Sequence, residues 1–154
     1  MPTSLRHGTS SAPVLLALTL LLSIPVFANE GGERPLLLTV DDLPIATGWL
    51  HPDPQERTAI TRRLLDTLER HGIRAVGLVT WSNVRSPDDL ALLTLWLEAG
   101  HELGNHSFSH PDYNRTDVED YIADMERARA ELADFLEAFD RTPRFFRFPQ
   151  LHEG

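Results

Sequence analysis

The 154-residue sequence contains neither cysteine nor lysine, and the first absence narrows the chemistry open to the chain. Without cysteine it can form no disulfide and has no thiolate nucleophile. Any bound metal ion would therefore have to be held by histidine, aspartate or glutamate side chains. All 14 basic residues are arginine, which we interpret as a compositional bias of the genome rather than as part of a mechanism.

Positive charge is also scarce, because 14 basic residues stand against 23 acidic ones and the formal net charge is −9. A surface this acidic argues against nucleic acid and against anionic lipid as partners. The length leaves room for one domain rather than two.

The first 28 residues have the layout of a secretory signal peptide. A short polar start with Arg6 and His7 precedes an apolar run over residues 14–24, and the segment ends at Ala28 with residues that a signal peptidase reads. The run is shorter than the ~20 apolar residues that a membrane-spanning helix needs. We therefore expect a signal peptide over residues 1–28, export to the periplasm or beyond, and no stable membrane span. An uncleaved membrane anchor is the alternative.

Residues 29–34 are polar and contain two glycines, which predicts a tether, and residues 35–154 form the predicted domain. Short apolar runs in this domain predict strands. They lie at residues 36–40, 75–79, 101–104 and 145–148.

Three helices are predicted from the residues at their ends. Asp53 and Ser86 are each followed by proline, which indicates the N-caps of the first two helices, and Gly72 and Gly100 end them. Thr116, with a glutamate three residues later, indicates a capping box for the third.

Strands and helices alternate in this prediction, which favours parallel βα units in a barrel or in an open α/β sheet. In both architectures functional groups gather at the C-terminal ends of the strands. Three polar clusters lie at such ends, namely residues 41–42, 105–110 and 147–149.

Two of these clusters predict a metal site. Burying the adjacent carboxylates of Asp41 and Asp42 at an apolar strand end is costly unless positive charge meets them. His106 and His110 are four residues apart, so one helical turn or a tight loop can aim both imidazoles at one point. Two histidines and one carboxylate are a common ligand set for catalytic zinc, which lowers the pKa of bound water and leaves the second aspartate as a base.

The three clusters together resemble the motifs of the polysaccharide deacetylases, the carbohydrate esterase family 4 enzymes built on the NodB homology domain. The family's Thr-Phe-Asp-Asp-Gly-Pro motif corresponds to residues 39–44, which read Thr-Val-Asp-Asp-Leu-Pro. Its His-Ser/Thr-x-x-His motif corresponds to residues 106–110, and its Arg-x-Pro motif to residues 147–149. The resemblance runs from Leu36 to the last residue and implies an irregular (β/α) barrel, of which about four strands and three helices are recognisable.

The resemblance implies a role for each matching residue. Asp42, His106 and His110 would bind a divalent metal, with zinc as the default and cobalt, nickel or manganese also suited to the ligands. Asp41 would be the general base, with Arg147 holding it ionised and oriented.

The implied reaction is hydrolysis of an N-acetyl, less often an O-acetyl, group on a glycan. The main-chain N–H of Gln150 would help to stabilise the oxyanion of its tetrahedral intermediate.

The sequence departs from the family pattern in three places. Leu43 replaces the usual glycine, so we expect the loop to lack a freely positive φ there. Gln150 stands where an aromatic residue is frequent. The family's fourth and fifth motifs, the latter with the histidine that acts as general acid, are not found, and His152 lies in the wrong motif to replace it. We therefore expect a truncated, poorly stable and catalytically silent chain with an uncovered edge at residues 145–148.

Two other functions remain open on the residues alone. One is another metal-dependent α/β-barrel hydrolase, acting on phosphoesters or amides. The other is a remnant that binds a sugar or a metal without catalysis. Trp49 and Trp81 could stack on a sugar or cover the core, Trp96 fits a core position, and His101 reads as an ordinary histidine.

Overall fold

A computed structural model describes residues 36–46, 48 and 50–152. The predicted signal peptide, the tether and Trp49 lie outside these residues. Within the described part of the chain, no helix is both long and apolar enough to cross a membrane.

Three parallel strands form one sheet in the order β1 (Leu38–Leu43), β2 (Ala75–Val79) and β3 (Glu102–Asn105). The fourth predicted strand, at residues 145–148, is present as a single parallel bridge between Asn105 and Phe146. The parallel α/β arrangement that was predicted from the alternation of elements is confirmed.

The helices are α1 (Pro54–Arg70), α2 (Pro87–Glu98) and α3 (Val118–Glu137). The first two begin as predicted, because Asp53 accepts a hydrogen bond from the Gln55 N–H and Ser86 accepts one from the Asp89 N–H.

The capping box predicted at Thr116 is wrong. Helix α3 has Asp117 as its N-cap, and the Asp117 side chain makes no capping hydrogen bond. The Thr116 hydroxyl instead donates to the main-chain oxygen of Asp112, 2.8 Å away. That bond closes the short turn Tyr113–Arg115 and leaves Thr116 one position before the cap.

The core lies between the helices and one face of the sheet. Trp96 of α2 is 1% exposed, which confirms its predicted core position. Residues from every helix and strand join it, among them Leu65, Leu68, Val79, Leu93, Leu103, Leu132 and Leu136. Trp81 packs against this cluster and meets Phe135 edge to face, with ring centroids 6.5 Å apart, so it covers the core.

A close contact between β1 and β2 explains how the sheet accommodates Leu43. A Cβ atom on Gly77 would lie 2.1 Å from Leu43 Cδ1, so only glycine leaves room for this buried leucine. The positive φ that we expected to be missing at residue 43 occurs one residue earlier, at Asp42, where φ is 62°. The strain of a left-handed conformation therefore falls on an aspartate, one of the residue types that tolerate it best.

Candidate metal centre and active site

The end of β1 is irregular where its two aspartates lie. The pairing with β2 advances from Val40–Gly77 to Leu43–Val79, so β1 contains one extra residue in this interval. Such a bulge, together with the positive φ of Asp42, redirects side chains that would otherwise point to opposite faces of the sheet. Both carboxylates can therefore face one site.

The structure brings Asp42, His106 and His110 together. One potential ligand atom from each residue lies within 4.8 Å of the other two. The Oδ1 atom of Asp42 is 3.5 Å from His110 Nε2 and 4.0 Å from His106 Nε2. The two imidazole rings are 5.1 Å apart between centroids.

The orientation of His106 suits a metal ligand. Its Nδ1 lies 2.9 Å from the main-chain oxygen of Arg147. A carbonyl oxygen only accepts hydrogen bonds, so Nδ1 carries a proton, and in the neutral ring Nε2 presents its lone pair on the side of the two aspartates. His106 is 2% exposed, and this hydrogen bond fixes the ring in its buried position.

Two side chains that follow β2 hold Asp42. The Thr80 hydroxyl donates to Asp42 Oδ1 at 2.9 Å, and the Asn83 amide donates to the Asp42 main-chain oxygen at 3.4 Å. The first contact orients the carboxylate, and the second holds the main chain of the same residue. With two imidazole nitrogens and a carboxylate converging, the ligand set fits a zinc-type divalent ion.

His106 and His110 lie on a tight loop and not on a helix. Ser107 and His110 both have positive φ, 70° and 60°. The Asn105 side chain accepts a hydrogen bond from the Ser107 N–H at 2.8 Å, and the Ser107 hydroxyl accepts one from the His110 N–H at 3.1 Å. The loop therefore turns His110 back toward His106.

Asp41 lies beside this group and pairs with Arg147. The Arg147 Nη1 atom is 3.1 Å from Asp41 Oδ1 and also donates to the Thr39 hydroxyl. Both charged side chains are about one-third exposed, so water reaches the pair. Asp41 Oδ2 also accepts a longer hydrogen bond from Arg147 Nη1, at 3.5 Å, and lies 3.9 Å from His106 Nε2, which places a carboxylate oxygen next to the metal-ligand candidates.

Gln150 is exposed and follows the buried Pro149 in the turn Pro149–Leu151, where its φ is 58°. Among the described residues, the Gln150 side chain makes no hydrogen bond to Asp41, His106 or His110. His152 Nδ1 hydrogen-bonds to Asp112 Oδ1 at 2.7 Å, a contact separate from the group around Asp42.

Sequence reasoning missed the residues that support the ligands. Thr80 and Asn83 belong to no motif, and an ordinary turn explains each of them as well. Asp124 of α3, whose carboxylate accepts hydrogen bonds from the Phe108 and Ser109 N–H groups, also belongs to no motif, and a solvated helix face explains it as well. His101, which was read as ordinary, is a buried core histidine whose Nδ1 accepts a hydrogen bond from the Ala75 N–H at 3.2 Å. Burial, and then the charge of Arg74, lowers the pKa of His101.

Known proteins are similar to this chain over most of its length. Residues 28–153 match the family model described as polysaccharide deacetylase. The peptidoglycan-N-acetylglucosamine deacetylase PgdA of Listeria monocytogenes is 26% identical over 124 residues, which cover 80% of this chain and 23% of that protein. Chitin deacetylase of Colletotrichum lindemuthianum is 29% identical over 94 residues, which cover 59% of this chain and 37% of that protein.

Among solved structures, the chain is similar to the Xyl-CE4 domain of a multidomain xylanase from the hindgut metagenome of Trinervitermes trinervoides. The TM-score is 0.57 at 26% identity, and the match covers 77% of this chain and 49% of that one. The chain thus spans about a quarter of PgdA and about half of the xylanase domain.

Proposed function

The chain belongs to the polysaccharide deacetylase family, and we propose that its strand-end site hydrolyses acetyl groups on a glycan with a divalent metal ion. The observation that carries this proposal is the convergence of Asp42, His106 and His110 beside an Asp41–Arg147 pair. These residues come from the end of β1, the loop after β3 and the segment bridged through Phe146. Acetyl hydrolysis needs both the metal ligands and the base.

In this proposal Asp42, His106 and His110 hold the metal. When bound, the ion acts as a Lewis acid that brings the pKa of water toward neutrality and polarises the acetyl carbonyl. Zinc is the default, and cobalt, nickel or manganese also suit two imidazoles and a carboxylate. The Nδ1–H bond of His106 to the Arg147 carbonyl supports this assignment, because it presents Nε2 as the ligand atom.

Asp41 is proposed as the general base that accepts a proton from the attacking water. Its contact with Arg147 at 3.1 Å orients the carboxylate. Its partial exposure and its position beside His106 support this role, because a base must reach water next to the ligands.

The main-chain N–H of Gln150 is proposed to stabilise the oxyanion that forms when water attacks the acetyl carbon. The support is positional: Gln150 follows Arg147 by three residues, and its positive φ turns the main chain sharply at that point.

The proposed substrate is an acetylated glycan, with N-acetyl groups preferred over O-acetyl groups. PgdA and the chitin deacetylase, whose names specify N-acetylglucosamine and chitin chemistry, support this class. We also propose that the chain is exported through residues 1–28, which amino-terminal sequencing of the protein outside the cytoplasm would test.

An activated aryl acetate is the sharpest first substrate. Catalytic silence is expected toward amides, whose leaving amine needs a proton from a general acid, whereas the phenolate of an aryl acetate leaves without one. Turnover of the aryl acetate therefore depends only on the residues assigned above. We expect acetate release that stops when a chelator removes the metal and returns when zinc is added back. The Asp41→Asn variant is the matched control for background hydrolysis by surface histidines.

Substrate comparison separates the proposal from the two other functions. Acetate release from N-acetylated chitooligosaccharides or from peptidoglycan fragments supports a deacetylase. Faster turnover of an aryl phosphate than of the aryl acetate would instead indicate a phosphoester hydrolase. Metal binding without metal-dependent turnover of any of these substrates would indicate a binding protein.

A further inference from the structure

One acidic residue of α3 binds the loop between the two histidines. Asp124 Oδ1 accepts hydrogen bonds from the Phe108 N–H at 2.7 Å and from the Ser109 N–H at 3.1 Å. Its Oδ2 accepts from the Ser109 N–H at 3.1 Å and from the Ser109 hydroxyl at 2.6 Å. Phe108 and Ser109 are two of the three residues that separate His106 from His110.

Two neighbours of Asp124 hold the same loop. The main-chain oxygen of Met125 accepts a hydrogen bond from the Asn105 side chain at 3.0 Å. The guanidinium carbon of Arg127 lies 3.4 Å from the centre of the Phe108 ring, in a cation–π contact. One turn of α3 therefore contacts the loop at Asn105, which precedes both histidines, and at Phe108 and Ser109, which lie between them.

This loop needs external support because its main chain is irregular. Positive φ values at Ser107 and His110 preclude helical hydrogen bonding, so the N–H groups of Phe108 and Ser109 have no helical partners. A carboxylate satisfies both, and hydrogen bonds to a charged acceptor are about twice as strong as neutral ones. Asp124 therefore fixes the turn that sets the separation of the two imidazoles.

We propose that Asp124 is a positioning residue that tunes the metal affinity of the site by holding His106 and His110 at a fixed separation. The inference rests on the proposed metal centre. It goes beyond it because Asp124 touches neither the ligand side chains nor, in the proposed reaction, the substrate.

The test compares Asp124→Asn with Asp120→Asn in the full chain. Asparagine keeps the shape of the side chain, but its amide nitrogen cannot accept from the Ser109 N–H. Asp120 lies one turn earlier on α3 and is exposed, so its variant controls for the loss of one negative charge. Zinc affinity is measured by competition calorimetry, and the geometry of the site by the visible absorption of bound cobalt.

We expect Asp124→Asn to weaken zinc binding about tenfold and to change the cobalt spectrum, as loss of residues that orient metal ligands typically does. Asp120→Asn should match the wild-type protein in both measurements. Ser109 is exposed, and Ser109→Ala loses only the 2.6 Å hydroxyl contact. This variant should show a smaller change in zinc affinity and cobalt spectrum in the same direction. It provides the test if Asp124→Asn does not fold.

The outcomes that overturn the proposal are distinct. If Asp124→Asn melts at a lower temperature but keeps the wild-type zinc affinity and cobalt spectrum, Asp124 is only structural. If Asp124→Asn does not fold, wild-type zinc affinity and a wild-type cobalt spectrum in Ser109→Ala would likewise show that Asp124 is only structural. Failure of the wild-type chain to bind zinc would overturn the metal centre itself, and the inference with it.

Discussion

The Nδ1 atom of His106 lies 2.9 Å from the main-chain oxygen of Arg147, a residue 41 positions later in the sequence. The contact links the loop after β3 to the segment bridged through Phe146, and it fixes the tautomer of a buried imidazole. The same Arg147 pairs through its side chain with Asp41. One arginine therefore orients both a candidate ligand and the candidate base.

The first prediction concerns metal binding. Replacing His106 and His110 together by alanine should abolish zinc binding of about one ion per chain, because two of three ligands are lost. Isothermal calorimetry measures the effect. A double variant of the half-buried His51 and the exposed His71, both outside the proposed site, is the matched control and should bind as the wild-type protein does. Undiminished zinc affinity in the His106/His110 variant would show that the metal site lies elsewhere.

The second prediction separates the two aspartates. Asp41→Asn should keep the metal but lower turnover by about 10²–10⁴-fold, because it removes a base and not a ligand. Asp42→Asn should weaken metal binding as well, since one of the converging ligand atoms loses its charge. Metal content by atomic absorption and acetate release from the aryl acetate are measured on the same samples. Equal metal loss in both variants would mean that the assignment of base and ligand to the two aspartates is wrong.

The third prediction concerns the fit of Leu43 against Gly77. Gly77→Ala should destabilise the fold by about 1–3 kcal/mol, because the new methyl overlaps Leu43 Cδ1. Leu43→Ala should cost about 2–5 kcal/mol, and the double variant less than the sum, because the smaller residue 43 makes room. Urea unfolding measures all three. Gly48→Ala, whose Cβ would have a nearest neighbour at 3.6 Å, is the control, and strict additivity would contradict the prediction.

The fourth prediction concerns a buried hydroxyl. Tyr121 is 3% exposed, its hydroxyl has no hydrogen-bond partner among the described residues, and burial raises its pKa to about 12. Tyr121→Phe should leave the free energy of unfolding unchanged or raise it by about 1 kcal/mol, because an unsatisfied polar group is removed. The ring stacks on Phe148, and phenylalanine preserves that contact. A loss of stability in urea unfolding would reveal a partner for the hydroxyl.

The fifth prediction is a pH dependence of stability. Burial and Arg74 lower the pKa of His101 in the folded chain below its usual 6.5, so the unfolded chain binds more protons in the interval between the two values. The free energy of unfolding that depends on a neutral His101 is fully present above pH 6.5 and is lost as the pH falls through the lowered pKa of His101.

The His101→Asn variant should lose this part of the pH slope, because asparagine can still accept from the Ala75 N–H but does not titrate. Urea unfolding between about pH 5 and 7.5 measures the slope. His71→Asn, at the exposed end of α1, is the control. An unchanged slope in His101→Asn would assign the pH dependence to other groups.

The starts of α1 and α2 were predictable because capping is local chemistry. Asp53 and Ser86 bond to main-chain N–H groups two and three residues away, and proline follows each. The start of α3 was not, because the Thr116 hydroxyl had two acceptable partners and the turn Tyr113–Arg115 decided between them.

The sequence by itself determined the parallel α/β class and the residues that the strand ends bring together. Both are local features, because apolar runs alternate with capped helices along the chain and polar residues directly follow the runs. Tertiary structure alone decided the bulge at Asp41–Asp42, the tautomer of His106 and the hold of Asp124 on the loop. Each of these depends on contacts between residues 15 or more positions apart, and no local pattern encodes which distant group will satisfy a given N–H, carboxylate or ring nitrogen.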